Sequence, residues 1–325
     1  MRRFCRRLVL ASSAVVLIGG PAWAQSDFPT RPITLIVPLQ AATASDLVAR
    51  VIAQNFSART GKSMVVENVA GGGGGIGAHR VARAPADGYT VGAFNNGVHT
   101  ILPAMGTKLG FDPFEDFAPV TLLARFPSVL IVNPDLPVKS LAEFIALAKK
   151  QPGKINFGSS GNGSTNHLAG ELLKDLAKID IVHVPYRGAA PAMNDLIAGH
   201  IPMMFDNMPA MKPQVAAGTV RALAVASATR SKLFPELPTM IEAGVPGFEA
   251  TAWFGLVAPA ATPADVTKTI IAGVEKALQN PDMAKKLADL GAEPGNVSGD
   301  AFGDFLKAET AKWGKVVKDS GARVD

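Results

Sequence analysis

Ile155-Asn-Phe157, then Gly158-Ser-Ser-Gly-Asn-Gly-Ser-Thr165, then leucines at 168, 172 and 176, reads as a strand, a small polar loop and a helix in succession. The short apolar run suits a buried strand, and the four-residue spacing of Leu168, Leu172 and Leu176 puts one apolar stripe on a helix. The same unit recurs along the chain. Ile33–Val37, Met64–Glu67, Tyr89–Phe94, Val120–Leu123 and Val129–Val132 are predicted strands, followed by Ile181–Val184, Met203–Phe205, Ala222–Ala226 and Phe254–Ala258. Helical patterns separate most of them. Ser140-Leu-Ala-Glu143 is a capping box that opens a helix to Lys150, closed by Pro152-Gly153. Thr262-Pro263-Ala-Asp265 opens another, with Val266, Ile270, Val274 and Leu278 on one face. A last helix carries Phe302, Phe305, Leu306, Trp313, Val316 and Val317 on one stripe and stops at Gly321.

Alternation of this kind predicts an α/β fold with largely parallel sheets flanked by helices. About 300 residues beyond the N-terminal segment suffice for two lobes on ordinary domain sizes. No internal repeat or long linker divides them, so the lobes are expected to be joined by crossing strands with a cleft between them. In such sheets ligands bind beyond the carboxyl ends of the strands. The loops that leave a strand and open a helix are therefore where function is expected.

The N-terminus reads as an address. Arg2, Arg3, Arg6 and Arg7 form a basic region, an apolar run covers Leu8 to Ile18, and Ala22-Trp23-Ala24 is a small-x-small cleavage signature, so residues 1–24 are predicted to be an export signal. Cys5, the only cysteine, precedes the apolar run and cannot be a lipobox cysteine. The full chain has 32 Lys and Arg against 27 Asp and Glu; four of those arginines lie before Gln25 with no acid, leaving 28 against 27. That balance argues against a nucleic-acid or membrane-surface partner. A cysteine-free mature chain suits an oxidising compartment such as the periplasm.

The candidate loops are rich in hydroxyls, amides and glycines and almost free of cations, Arg187 excepted. Backbone N–H groups at a helix start are unpaired and carry the positive end of the helix dipole, so they bind anions without Lys or Arg. A carboxylate is the expected guest. The same residue types are ordinary N-caps, but a cap needs one such residue and the 158–165 loop offers five. Candidate ligand-binding residues are Gln40, Ala42, Thr43 and Asp46 after the first strand, and Asn95 and Asn96 after the third. The 158–165 loop adds Ser159, Ser160, Asn162, Ser164 and Thr165, and later loops add Tyr186, Asp206 and Asn207. Asp46 also fits a capping box opened by Thr43, and Asp206 closes a hydrophobic strand.

Enzyme readings are weaker. Gly72-x-Gly74-x-x-Gly77 matches a dinucleotide fingerprint formally, but five consecutive glycines match almost any glycine pattern, and no acid follows about 20 residues on. Gly158-Ser-Ser160-Gly-Asn162 lacks the last glycine of a nucleophile elbow. His79, His99, His167, His183 and His200 show no close metal-ligand spacing and read as surface, cap or core residues. No catalytic residue, metal or cofactor is expected. Trp253 reads as core.

Many separated motifs, in order, resemble the Bug family, the extracytoplasmic solute-binding components of tripartite tricarboxylate transporters. They include Phe28-Pro-Thr-Arg-Pro-Ile-Thr-Leu-Ile-Val-Pro38, Val66-Glu-Asn68 before the glycine run, Asp87-Gly-Tyr89 and Phe117-Ala-Pro-Val-Thr121. Gly158–His167, His183-Val-Pro-Tyr-Arg-Gly188, Met204-Phe-Asp-Asn207, Arg221-Ala-Leu-Ala-Val225, Trp253-Phe-Gly-Leu, Ala258-Pro and Leu290-Gly-Ala-Glu-Pro294 continue the series. The likeness covers nearly all of residues 28–321. It implies a two-lobed flytrap fold, with residues 25–125 and 251–325 in a discontinuous first lobe and 126–250 in the second. It also implies a ligand carboxylate held between the 38–46 and 158–165 loops, partly through water, and a closed form that docks on a two-component membrane permease. Family members bind dicarboxylates, tricarboxylates, amino acids and aromatic acids. One departure stands out: Ala41-Ala42-Thr43-Ala44-Ser45-Asp46 replaces the family's Ala-Gly-Gly-x-x-Asp, and with the added Cβ groups either the loop keeps its shape and the pocket is smaller there, or it changes and holds the carboxylate differently.

The expectation is thus a monomeric periplasmic protein, not inserted in a membrane, that captures a small carboxylate without transforming it. A sensor subunit that presents ligand to a membrane receptor is the alternative from another class, with a periplasmic hydrolase behind it.

Overall fold

The structure is a computed structural model that describes residues 28–41, 43–106 and 109–321. The export signal read at 1–24 and the candidate Ala42 lie outside those residues. In chain order the first elements are β1 (Ile33–Val37), α1 (Ala44–Thr60), β2 (Met64–Asn68), a short 3-10 turn, α2 (Gly75–Ala82) and β3 (Thr90–Asn95). A π-helical turn, Gly97–Ile101, then runs into α3 (Leu102–Ala104). The chain continues through β4 (Phe117–Val132), α4 (Leu141–Lys150), β5 (Ile155–Ser159), α5 (Thr165–Ala177), β6 (Ile181–Pro185), α6 (Ala189–Ile197) and β7 (Met203–Asn207). It closes with α7 (Met208–Ala216), β8 (Arg221–Val225), β9 (Thr251–Pro259), α8 (Ala264–Leu278), α9 (Pro281–Asp289), β10 (Glu293–Pro294) and α10 (Gly299–Ser320).

The strands order as β2-β1-β3-β9-β4-β7-β5-β6, with β8 and β10 also paired to β4. Each wing is parallel: β1 with β2 and β3, and β5 with β6 and β7. The centre is antiparallel, through β3–β9, β9–β4, β4–β7 and β4–β8. The sheet is therefore mixed rather than mostly parallel. The chain crosses outward along β4 and returns along β9, so the two crossing strands run in opposite directions. β4 pairs with β9 as far as Pro127 and with β7 and β8 from Ser128 on.

The sequence predicts two strands where the structure has one, the 16-residue β4. Pro127 lies between the two predicted runs, and proline cannot donate to a ladder. Register shifts follow Pro119 and Leu122, and Pro127 stands at the change of partner. Bulges and changes of partner are where a strand tolerates proline.

The predicted helix signals work as chemistry. Ser140 Oγ accepts the Glu143 N–H at 3.2 Å, and the Glu143 carboxylate accepts the Lys139 N–H at 2.6 Å. Gly321 ends α10 at φ 67°, a left-handed conformation that costs glycine little. Val266, Ile270, Val274 and Leu278 of α8 are buried against Ile33, Val48, Ile52 and Phe56 of the first wing. The second wing buries Phe144, Phe157, Leu168, Leu172, Phe205 and Phe248 in one core. Each such side chain contributes about 1.5–3 kcal/mol by leaving water.

Helix α10 serves both wings. Phe302 and Leu306 pack with Phe94, Phe117 and Trp253, whereas Trp313, Val316 and Val317 belong to the core of Phe157 and Leu168. Between the two groups sits Glu309, 6% exposed, which accepts the indole N–H of both Trp253 and Trp313 at 2.9 Å. Lys312 closes on the same carboxylate.

Candidate functional site

Strand ends and helix starts from both wings meet at one cavity of about 270 Å3. Asn95 and Gly97 line it from the end of β3, Ser128 and Ala252 from the crossing strands, and Ser160, Gly163, Ser164, Thr165 and Asn166 from the loop into α5. Ala189 at the start of α6, and Asp206 and Asn207 at the end of β7, complete the wall. Six predicted residues therefore come together: Asn95, Ser160, Ser164, Thr165, Asp206 and Asn207.

Three helices begin here. Ser164 caps α5, its Oγ accepting the His167 N–H at 3.3 Å; Asn207 stands at the cap of α7; and Ala189 opens α6 after Gly188. Their N–H groups and dipole ends make the wall attractive to an anion without a cation, and among the described residues no Lys or Arg lines the cavity. Among the described residues the sole ionisable lining group is Asp206, 8% exposed, whose carboxylate accepts the Asn207 N–H at 2.7 Å. Burial pushes its carboxyl up to about 6, and the hydrogen bond from Asn207 partly offsets that rise.

Other predicted residues act behind the wall. Asn96, 1% exposed, donates from Nδ2 to Thr165 Oγ1 at 3.1 Å and so ties the end of β3 to the start of α5. Ser160 Oγ donates to Asn166 Oδ1 at 2.9 Å. Ser159 is fully buried; its Oγ accepts the Gly161 N–H at 3.1 Å and lies 2.6 Å from His183 Nε2. Tyr186 donates to Asp195 at 2.7 Å; burial and then that carboxylate push its hydroxyl up to about 12. Asn162 is exposed at the crest of the loop and does not line the cavity.

The first loop is built differently. Thr43 caps α1 and accepts the Asp46 N–H at 3.4 Å, while its hydroxyl donates to the Gln40 carbonyl at 2.9 Å. The Asp46 carboxylate, 2% exposed, takes Arg50 Nε at 3.0 Å and Asn68 Nδ2 at 3.0 Å. Arg50 in turn donates to Asn68 Oδ1 at 3.0 Å. These bonds turn Asp46 toward β2, and among the described residues neither Gln40, Thr43 nor Asp46 lines the cavity. The glycine run is a packing device. A Cβ on Gly77 would stand 2.6 Å from the Val69 carbonyl oxygen and 2.8 Å from Pro38 Cα, so only glycine lets α2 close on the end of β1.

Two histidines form a unit that no spacing in the sequence announced. His167 and His183 stack at 3.7 Å between ring centroids beneath the 158–165 loop. His167 Nδ1 accepts the Gly163 N–H at 3.1 Å, and His183 holds Ser159. Burial first, then neighbouring positive charge, lowers His167 to about 3 and His183 to about 4, so both are neutral at pH 7. Also unforeseen were Gly97, Ser128, Gly163, Asn166, Ala189 and Ala252. Ser128 alone carried a signal, as a hydroxyl inside the apolar run from Phe126 to Val132.

A larger depression, about 640 Å3, lies on the outer surface between α1, β2 and α9, lined by Leu47, Val51, Met64 and Leu290 among others. Arg50, Gln54, Lys286 and Asp289 also line it, but it lies on the outer face of the first wing, where no helix start from the second wing reaches it. Among the described residues no group of His, Cys, Asp and Glu could hold a metal ion, and no helix is long and apolar enough to cross a membrane.

Two wings joined by crossing strands, with polar helix starts facing one cavity, define a receptor of the periplasmic-binding-protein type. An R. palustris protein solved with adipate is 40% identical, with a TM-score of 0.77, covering 91% of this chain and 99% of that one. MatC from Rhodopseudomonas palustris, solved with bound malate, is 34% identical, with a TM-score of 0.73, covering 89% of this chain and all of the other. Protein BugT of Bordetella pertussis is 35% identical over 302 residues, covering 91% of each chain. Residues 48–322 match the tripartite tricarboxylate transporter family receptor, TctC. The chain belongs to this family, that of the Bug solute-binding receptors.

Proposed function

We propose that this receptor captures a small organic carboxylate in the cavity between its wings and hands it, chemically unchanged, to a two-component membrane permease. The observation that carries this reading is the convergence of three helix starts on a cavity that, among the described residues, no Lys or Arg lines. Backbone N–H groups, hydroxyls and amides there can hold a carboxylate by hydrogen bonds alone. The volume, about 270 Å3, falls just below the usual span for drug-sized ligands, which begins at about 300 Å3, and suits a small acid. Relatives solved with adipate and with malate support the ligand class.

The reading extends to motion and place. The two lobes, 25–125 with 251–325 and 126–250, hinge on β4 and β9. Ligand contacts made from both sides stabilise the closed arrangement, and the permease recognises that surface. The capture takes place in the periplasm, after removal of residues 1–24. Ser159 and His183 form a serine–histidine pair, but Ser159 is fully buried beneath the loop and does not line the cavity, which favours a structural role.

The test is a thermal-shift panel of dicarboxylates, tricarboxylates, hydroxy acids, amino acids and aromatic acids on the mature protein. A true ligand at a hundred times its Kd stabilises by about 2.7 kcal/mol, a shift of several degrees. A folded protein that none of the panel stabilises would overturn the proposal.

A further inference from the structure

We infer that Asp206 makes this receptor selective for acids that carry a hydrogen-bond donor beside the carboxylate, 2-amino or 2-hydroxy acids, over the corresponding plain dicarboxylates. The inference rests on the carboxylate-binding reading above and adds the second half of the ligand. Two features of the cavity wall ask for different things. The starts of α5, α6 and α7 offer N–H donors and positive dipole ends, which suit an anion. Asp206, in the same wall, offers an acceptor and a negative charge, which repel one.

The acid is 92% buried by its 8% exposure, and among the described residues no cation pairs with it. Its hydrogen bond comes from the backbone N–H of Asn207, which satisfies one carboxylate oxygen. Burying a carboxylate without a partner is costly, and a site that keeps one there gains when a guest supplies the donor. Opposite it in the ladder stands Val129, and the adjoining pair, Ser128 and Asn207, lines the cavity without a charge. With its carboxyl near 6, Asp206 is mainly ionised at pH 7. A plain dicarboxylate brings negative charge toward Asp206 and no donor to offset it. A 2-hydroxy or 2-amino diacid carries the same two carboxylates, but its hydroxyl or ammonium supplies that donor. The carboxylate takes the helix starts, and the donor takes Asp206. A site built around a hydrogen bond to the ligand rejects the analogue that lacks it far more strongly than an apolar pocket rejects a missing methylene.

The experiment is calorimetric titration of the parent and of Asp206→Asn with two matched sets: succinate, malate and aspartate, then glutarate, 2-hydroxyglutarate and glutamate. Within a set the probes differ only at carbon 2. The parent is expected to bind the hydroxy or amino member at least tenfold more tightly than the plain diacid. Asp206→Asn keeps the side-chain volume and an acceptor but loses the charge, so it is expected to bind the plain diacid more tightly than the parent does and to shrink that ratio at least tenfold. Equal binding of all three members by the parent, or an unchanged ratio in a folded Asp206→Asn protein, overturns the inference. Binding of other acids but of none of these six also overturns it and leaves the proposed function standing. Binding of no acid at all removes both.

Discussion

Replacing His99 by Leu gives a sharp test of how the turn behind the cavity is held. His99 lies in the π-helical turn that follows Asn95 and Asn96, is 1% exposed, and has no hydrogen-bond partner on either ring nitrogen among the described residues. Phe114 meets it edge-on at 5.8 Å, with Phe94, Phe117 and Trp253 between 6.2 and 6.4 Å. Burial lowers its pKa to about 4, against a small opposing effect of Asp112. The folded value lies below the unfolded one near 6.5, so the unfolded chain binds the proton first as pH falls. Stability from this group is therefore full above about 6.5, falls between 6.5 and 4, and is level below. From pH 7 to pH 5 the loss works out at roughly 2 kcal/mol for this one ring. His167 and His183 act with the same sign but are common to parent and variant, so they cancel in the comparison. Leu has a similar volume and no group to protonate. Urea unfolding at pH 7 and pH 5, followed by tryptophan fluorescence and circular dichroism, is expected to show the parent losing about 2 kcal/mol more than His99→Leu. At pH 7 the variant is expected to lie within about 1 kcal/mol of the parent, or above it, because no hydrogen bond is given up. Identical pH slopes would refute the buried neutral ring, and a loss well beyond 2 kcal/mol at pH 7 would show that its nitrogens are partnered.

Two further outcomes follow from bonds that join separate parts of the fold. Glu309→Ala strands the indole N–H groups of Trp253 and Trp313 in the core, and a loss of about 3 kcal/mol in urea unfolding is expected, at 1–3 kcal/mol for each unsatisfied group. His183→Phe keeps the ring stacked on His167 but removes the partner of Ser159; ligand affinity is expected to fall about tenfold in calorimetry, roughly 1.4 kcal/mol, with faster amide exchange at Gly161 and Gly163.

What was legible in the sequence was what period and local chemistry encode. The parallel wings followed from apolar runs such as Ile33–Val37 and Ile155–Phe157 and from capping signals at Ser140 and Thr43, all local features. The antiparallel centre was not legible, because Pro127 interrupts the apolar run of one strand, and a change of pairing partner leaves no local mark. At the site, loop composition pointed to Ser160, Ser164, Thr165, Asp206 and Asn207 because helix starts need hydroxyls and amides. Composition could not say which way Asp46 turns. That depends on Arg50 one helical turn on and on Asn68 in the next strand. The stacked pair His167 and His183 was hidden for the same reason, since the two lie 16 positions apart in sequence and meet only through the pairing of β5 with β6.

Capture without chemical change is the central claim, and mass spectrometry of the intact complex tests it most directly. The mature protein is incubated for hours with the acid that stabilises it most, transferred under non-denaturing conditions, and then denatured to release its guest. The account expects one acid per chain, held non-covalently and recovered with its mass unchanged. A guest of altered mass, or a folded chain that retains no acid, would contradict it.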